Sequence, residues 1–285
     1  MDELIEPLLT GDRLLDDIQR ADAGPESFHL WWLGQSGFLV KWQGRHLLID
    51  PYLSNSLTKK YATTDKPHIR MTAIPIDPAR LDFVDIVTSS HNHTDHLDHE
   101  TLWPLMAANP GLRMIIPEAN RGFVADRLKS DPAWPLGVND GTTVEVEGFS
   151  FTGLASAHEE LDRDEQGNYR CLGYLIRFGS WTIFHPGDAI PYDGLVARLL
   201  ELQAGRPVDV ALMPINGRRP ERRVTGNFWG REAAQLAREI EARIVIPMHY
   251  EMFTFNTETP REFVESCTRL GQPFAVLRCG ERWTR

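Results

Sequence analysis

Residues 89–98 read SSHNHTDHLD, directly after the apolar run VDIVT at 84–88. The run has the composition of a buried strand, and the histidines begin where it ends, which places the cluster in a loop at a sheet edge. It supplies His91, His93, Asp95 and His96 in close succession. Imidazole and carboxylate are the usual ligands of borderline cations such as Zn2+. His91 and His93, two residues apart, face the same way in an extended stretch. Asp95 and His96, past the turn, aim at a second point nearby. The spacing therefore suits two adjacent cations better than one. Four such groups crowded together without a cation would carry mutual repulsion and desolvation costs.

Further donors stand at strand ends elsewhere in the chain. His158 closes FTGLASAH at 151–158, Asp188 follows WTIFHPGD at 181–188, and His249 ends RIVIPMH at 243–249. Gly187 permits a tight turn and close backbone approach beside Asp188. Alone, each is unremarkable; in order behind HNHTDH they form one pattern. His29, His46, His68, His99 and His185 lack such a pattern and read as structural or exposed.

Around these motifs the chain alternates strands and helices. FHLWWLG, GFLVKW and RHLLID are short apolar segments, with a hairpin at Gln43-Gly44. Helices are expected near 99–108 and 118–129, with strand RMIIP between them. In the second half, TTVEVEGFSFTGLAS, CLGYLIRF and SWTIFHPGD supply further strands. They are followed by helix 193–203, strand 209–215, helix 231–242, strand 243–249, helix 260–270 and a last strand PFAVLR. Two sheets packed together with helices outside would bury these runs on both faces. Residues 1–22 hold Ile5, Leu8, Leu9, Leu15 and Ile18 near helical spacing, an N-terminal helix shifted near Gly11 and docked on the body. With no linker or repeat visible, residues 1–285 read as a single domain.

Composition sets outer limits. The chain has 42% hydrophobic and 25% charged residues, which is ordinary for a globular protein. Its net charge of −10 argues against broad nucleic-acid binding, which needs many phosphate contacts from Lys and Arg. Cys171, Cys267 and Cys279 form no CxxC pair, so neither a thiolate metal site nor a disulfide framework is suggested. The acidic N-terminus lacks the pattern of a secretory signal, and no continuous apolar run could span a membrane. A soluble, cytoplasmic protein is expected.

HNHTDH, His158, Gly187-Asp188 and His249 together resemble the metallo-β-lactamase superfamily, from about Phe28 onward. The resemblance implies an α/β (α+β) fold, a four-layer αββα sandwich with two metal ions at one edge of the sheets. It implies that His91, His93 and His158 hold the first metal, that Asp95, His96 and His249 hold the second, and that Asp188 bridges both. Asp50, in LLIDP, matches the aspartate that supports the histidine loop. WWLGQSGF at 31–38, LLIDPYLSN at 47–55, IPMHYEMF at 246–253 and MPINGR at 213–218 are similar to the L-ascorbate-6-phosphate lactonase-like branch. That branch implies a hydrolase using Zn2+ or Mn2+.

Two cations sharing a water lower its pKa toward neutrality and make hydroxide available. Asp95 would orient that hydroxide or accept its proton. The substrate expected is a small, anionic ester or lactone. The alternatives are a phosphodiesterase of the phospholipase D type that hydrolyses N-acylphosphatidylethanolamine, and a metal-binding regulatory protein without turnover. INGRRPERR at 215–223 is arginine-rich, and guanidinium forks suit phosphate or carboxylate. Arg218 and Asn216 are therefore expected to meet the substrate. Gln35, in the turn between two strands, is a third substrate-binding candidate. A homo-oligomer contact is the sharper use of the N-terminal helix, and docking onto the body the plainer one.

Overall fold

The computed structural model describes residues 3–22 and 24–285. Helix α1 (Gly11–Arg20) precedes an antiparallel meander of β1 (His29–Trp32), β2 (Phe38–Trp42) and β3 (Arg45–Ile49). The β2–β3 turn places Gln43 and Gly44 both at positive φ, the conformation that matches a two-residue hairpin to the twist of its strands. The short helix α2 (Ser56–Lys60) follows. Then β4 (Ile86–Thr88), β5 (Arg113–Pro117) and β6 (Leu136–Val138) extend the sheet in parallel from β3, with helices α3 (His99–Ala108) and α4 (Arg121–Leu128) in the crossovers.

The second sheet opens with an antiparallel run of β7 (Thr143–Val146), β8 (Phe149–Ala155), β9 (Leu172–Phe178) and β10 (Trp181–His185). It continues in parallel through helix α5 (Leu195–Gln203) to β11 (Val210–Pro214), and through helix α6 (Gly230–Glu239) to β12 (Val245–Met248). After helix α7 (Arg261–Leu270), the chain returns to the first sheet as β13 (Arg282–Thr284), paired with β1.

Strand alternation sorts the first sheet's side chains between two cores. Leu30, Trp32, Val40, Leu47, Ile49 and Ile115 share one with strands of the second sheet and with α5, α6 and α7. Their neighbours Trp31, Leu39, Leu48, Val87, Met114 and Ile116 face Leu14 and Ile18 of α1, Leu102 and Leu105 of α3, and Val124 and Leu128 of α4. Because both faces of the sheet are covered, nearly continuous apolar runs are required rather than alternation with polar residues. The result is the expected four layers, helix–sheet–sheet–helix, built from two mixed sheets.

Three local expectations are corrected. Within residues 1–22, only Gly11–Arg20 is helical. Residues 5–11 instead bond to other segments, with Ile5 N–H donating to Met71 O, Leu8 N–H to Cys279 O and Gly11 N–H to Pro75 O. Residues 1 and 2 lie outside the described ones. PFAVLR makes a single bridge, Phe274 to Val245, and the last paired strand is β13. Helix 118–129 begins as a 3-10 turn at Glu118–Asn120 and becomes α-helical only at Arg121.

Candidate metal centre

Strands β4, β8, β10 and β12 each lead, at their carboxyl ends, into one of the donor segments. The crevice outside such strand ends is where open α/β sheets place ligands. Left-handed backbone at non-glycine residues gathers here: Gln35 has φ 49°, Asp50 φ 39° and His249 φ 62°. Such conformations persist only where the surroundings over-determine them. Gln35 O accepts the His249 N–H at 2.9 Å, tying two of these residues together. Gly187 has φ 65°, and a Cβ there would lie 2.6 Å from Ser90 Oγ, so only glycine lets the Asp188 turn close onto the histidine loop.

The donors form two groups, His91, His93 and His158 in one and Asp95, His96, Asp188 and His249 in the other. Within each group the ligating atoms lie within 4.8 Å of one another. His158 Nε2 is 3.2 Å from His93 Nδ1. Asp188 reaches toward both groups. Its Oδ1 is 3.1 Å from His96 Nε2, and its Oδ2 is 3.1 Å from His249 Nε2 and 3.7 Å from His158 Nε2. Asp95 Oδ2 lies 3.7 Å from His249 Nε2 and 3.9 Å from His96 Nε2.

The rings are held from behind. Asp50, fully buried, is 2.8 Å from His96 Nδ1 and accepts from the hydroxyls of Thr88 and Ser90. A carboxylate behind an imidazole fixes its orientation and raises its basicity. His158 Nδ1 faces Gly226 O at 3.2 Å, which leaves Nε2 for the cluster, where Thr225 Oγ1 also approaches at 2.8 Å. His185 accepts the Gly187 N–H at Nδ1 and shapes the turn before Asp188. His29 bonds Thr284 and the carbonyl of Asp22, a purely structural position.

Charge divides the site unevenly. Burial pushes the Asp188 carboxyl up, but His249 and His96 outweigh it and hold it well below the usual carboxylate range. Burial opposes charge on His96, yet Asp188 and Asp95 lift its imidazole well above the ordinary value. Burial, and then the rings of His96, His93 and His158, push His91 far down. Burial likewise brings His158 to about 4. Buried carboxylates therefore draw positive charge onto His96 at one end, while burial disfavours it on His91 and His158 at the other. His91 Nε2 is buried without a hydrogen-bond partner among the described residues, and His96 Nε2 and Asp188 Oδ1, although 3.1 Å apart, lack the geometry of a hydrogen bond. Buried polar atoms are rarely left so. An all-nitrogen group beside a nitrogen–oxygen group, with no thiolate, fits divalent cations of the Zn2+ or Mn2+ kind.

The substrate-side expectations fare differently. Gln35 is buried, and its Nε2 donates to Asp95 Oδ2 at 2.7 Å and lies 3.0 Å from His249 Nε2, so it braces the donors rather than lining the cavity. Asn216 is fully buried behind the site. It links Asn256 to Asn227, whose Oδ1 accepts the Ala189 N–H. Arg218 is corrected outright, because its guanidinium forms a two-pronged pair with Glu232 at 2.6 and 2.7 Å and does not reach the cavity. Arg219 and Arg222 both pair with Glu258, and Arg223 pairs with Asp65. The loop is arginine-rich because it is stitched to carboxylates.

Over the donors opens a cavity of about 510 Å3. His93, Asp95, His158, Asp188 and His249 face it, and its walls carry residues that sequence reasoning passed over. His68, which the sequence reads as structural or exposed, stacks on Tyr61 with ring centres 4.1 Å apart and meets Phe255 at 4.6 Å and Phe253 at 5.2 Å. From α4, Arg127 lies over the Phe123 ring at 4.4 Å. The spacing of Phe123 and Arg127, one helical turn apart, was the available signal for that second wall.

Comparison with known proteins identifies the family and the fold. The model of the beta-lactamase superfamily domain matches residues 29–249. A UPF0173 metal-dependent hydrolase of Methanosarcina mazei is 30% identical over 236 residues, 81% of this chain and 87% of that protein. Among solved structures, Igni18, a metallo hydrolase of Ignicoccus hospitalis, superposes with a TM-score of 0.65 at 20% identity, covering 91% of this chain and 98% of its own. An isothiocyanate hydrolase from Delia radicum gut bacteria gives 0.68 at 17% identity, covering 90% and 98%. With its donors at the strand ends of two stacked sheets and these matches across most of its length, the chain belongs to the metallo-β-lactamase superfamily.

Proposed function

We propose that this protein is a hydrolase that works with two divalent cations, Zn2+ or Mn2+, on a small anionic ester or lactone, as the lactonase-like branch implies. The observation that carries this is the pair of adjoining donor groups facing one cavity, with Asp188 reaching toward both. The metal-dependent hydrolases among its relatives support the same reading. In this reading His91, His93 and His158 hold one cation, Asp95, His96 and His249 hold the other, and Asp188 serves both. Bound there, the cations supply an acidified water and Lewis-acid polarisation of the substrate's carbonyl or phosphoryl oxygen.

The chain's own groups do the rest. Asp50 and Gly226 O set the ring orientations of His96 and His158. Gln35 holds Asp95 from the protein side. Asp95 takes the proton of the attacking water as the water oxygen bonds to the carbonyl carbon. The bond to the leaving oxygen breaks, and that oxygen receives the proton. No serine or cysteine nucleophile is needed, and Cys171 is unsuited to the role, since burial pushes its thiol up to about 12.

The test is hydrolysis of a panel of lactones, simple esters, thioesters and phosphodiesters by the metal-loaded protein. Turnover of a lactone or ester that stops on chelation and returns with metal is expected. Turnover confined to phosphodiesters would replace the lactonase reading with the phosphodiesterase one. No turnover of any class would sink the hydrolase reading.

A further inference from the structure

The walls of the cavity differ in character from the donors they surround. One wall is a cluster of rings drawn from two distant segments, Tyr61 and His68 from the stretch after α2, and Phe253 and Phe255 from the stretch after β12. Such a cluster offers flat faces and edges to a flat apolar group. Two side chains of the lining are cationic, Lys60 and Arg127. Apart from Asp95 and Asp188, the lining contains no carboxylate, in a chain of net charge −10.

Arg127 is pre-positioned for an anion. Its Nη1 donates to Asn92 O at 2.8 Å and Leu97 O at 3.2 Å, and Phe123 supports its plane. Among the described residues it meets no carboxylate, unlike the arginines of 218–223. Holding a half-buried guanidinium with no ion pair costs stability, and burial lowers its pKa against the weaker opposing pull of Asp98. A guanidinium fork held this way is suited to a carboxylate, sulfonate or phosphate. Lys60 adds a second positive charge beside the Tyr61 ring, 5.1 Å from its centre.

Resting on the hydrolase reading, we propose that the cavity selects an aryl or comparably flat ester or lactone carrying a permanent negative charge away from its scissile bond. The flat part lies against Tyr61, His68, Phe253 and Phe255, and the charge meets Arg127 and Lys60. Specificity then resides in these six wall residues rather than in the arginine-rich loop.

The experiment compares four acetate esters on the metal-loaded protein: 3-acetoxybenzenesulfonate, phenyl acetate, 2-acetoxyethanesulfonate and ethyl acetate. The anionic aryl ester is expected to have the highest kcat/KM. Loss of one charged contact should reduce the anionic-to-neutral ratio about tenfold or more, in Arg127→Met and in Lys60→Glu. Phe255→Ala should reduce the aryl-to-alkyl ratio. Because Arg127 also holds the histidine loop, the exposed Lys60→Glu variant decides if Arg127→Met does not fold. Binding of naphthalene-2-sulfonate, followed by fluorescence titration, gives a readout independent of turnover. Its Kd should rise about tenfold in Lys60→Glu. If no ester is hydrolysed but the sulfonate binds with this dependence, the hydrolase reading fails and the ligand class stands. If esters are hydrolysed with ratios unmoved by the substitutions, and sulfonate affinity is also unmoved, the proposed selectivity is overturned.

Discussion

Asp188 is the residue on which the two donor groups converge, with one oxygen toward His96 and the other toward His249 and His158. Asp188→Ala should lower kcat/KM by more than about a hundredfold and reduce the metal bound per chain, while far-UV circular dichroism keeps the native pattern. Near-normal turnover would mean that the carboxylate is not shared. Arg218 makes the opposite forecast. Its partner Glu232 accepts the Trp229 N–H in the first turn of α6, so the ion pair belongs to a helix start. Arg218→Ala should cost about 0.5–1.5 kcal/mol in urea unfolding and leave KM unchanged. A selective rise in KM for anionic substrates would return Arg218 to the site. At this scale the sequence was legible where residue type and spacing carry the chemistry, as in HNHTDH. It was illegible at Arg218, because one guanidinium suits a substrate anion and a neighbouring glutamate equally. His68 was missed because a lone histidine has no pattern, and only the fold brings it against Tyr61 and Phe255.

Strand β3 shows how an element carries a titratable group into the body of the protein. His46 packs against Phe83, and its backbone N–H donates to Asp85. Burial, reinforced by Lys41, pushes its imidazole down to about 4. In the unfolded chain an imidazole titrates near 6.5. Between those values the unfolded chain binds the proton more readily, so folding stability rises with pH through the window and this contribution is complete above it. Allowing for the solvent-facing edge of the ring, about 1–2 kcal/mol should be lost between pH 6.5 and pH 4. Urea midpoints across that range should fall less steeply in His46→Gln than in the parent, and identical slopes would exclude the histidine as a cause. Long strands and amphipathic helices were legible from period and bounding turns. Strands β6 and β13, three residues each, lack the longer apolar run that marks the equally short β4. PFAVLR has strand composition, but it carries Pro273 at its start and forms a single bridge.

For the whole molecule, two cations per chain are expected on elemental analysis after metal loading. Ligand present at a hundredfold excess over its Kd stabilises the folded state by about 2.7 kcal/mol, which should raise Tm by several degrees. A stable maximum of one ion, with Tm unmoved by the second equivalent, would leave only one of the donor groups functional. The layered architecture was legible because both sheets needed apolar runs, and the histidine positions tied those runs to one edge. Which helix covers which face followed only from the sorting of Trp31 from Trp32, and of Leu47 from Leu48, between two cores.

The donors also have an order along the chain. Four stand between residues 91 and 96 on the first sheet, while His158, Asp188 and His249 arrive on the second. During synthesis the three-histidine group is therefore complete once residue 158 has emerged, and the other remains open until residue 249. Because β13 must then come back to pair with β1, the first sheet gains this edge strand only after β12 has completed the second. Contacts of such sequence separation make folding slow. Closure of the second donor group thus marks the point at which the strands of the second sheet, down to β12, have been delivered.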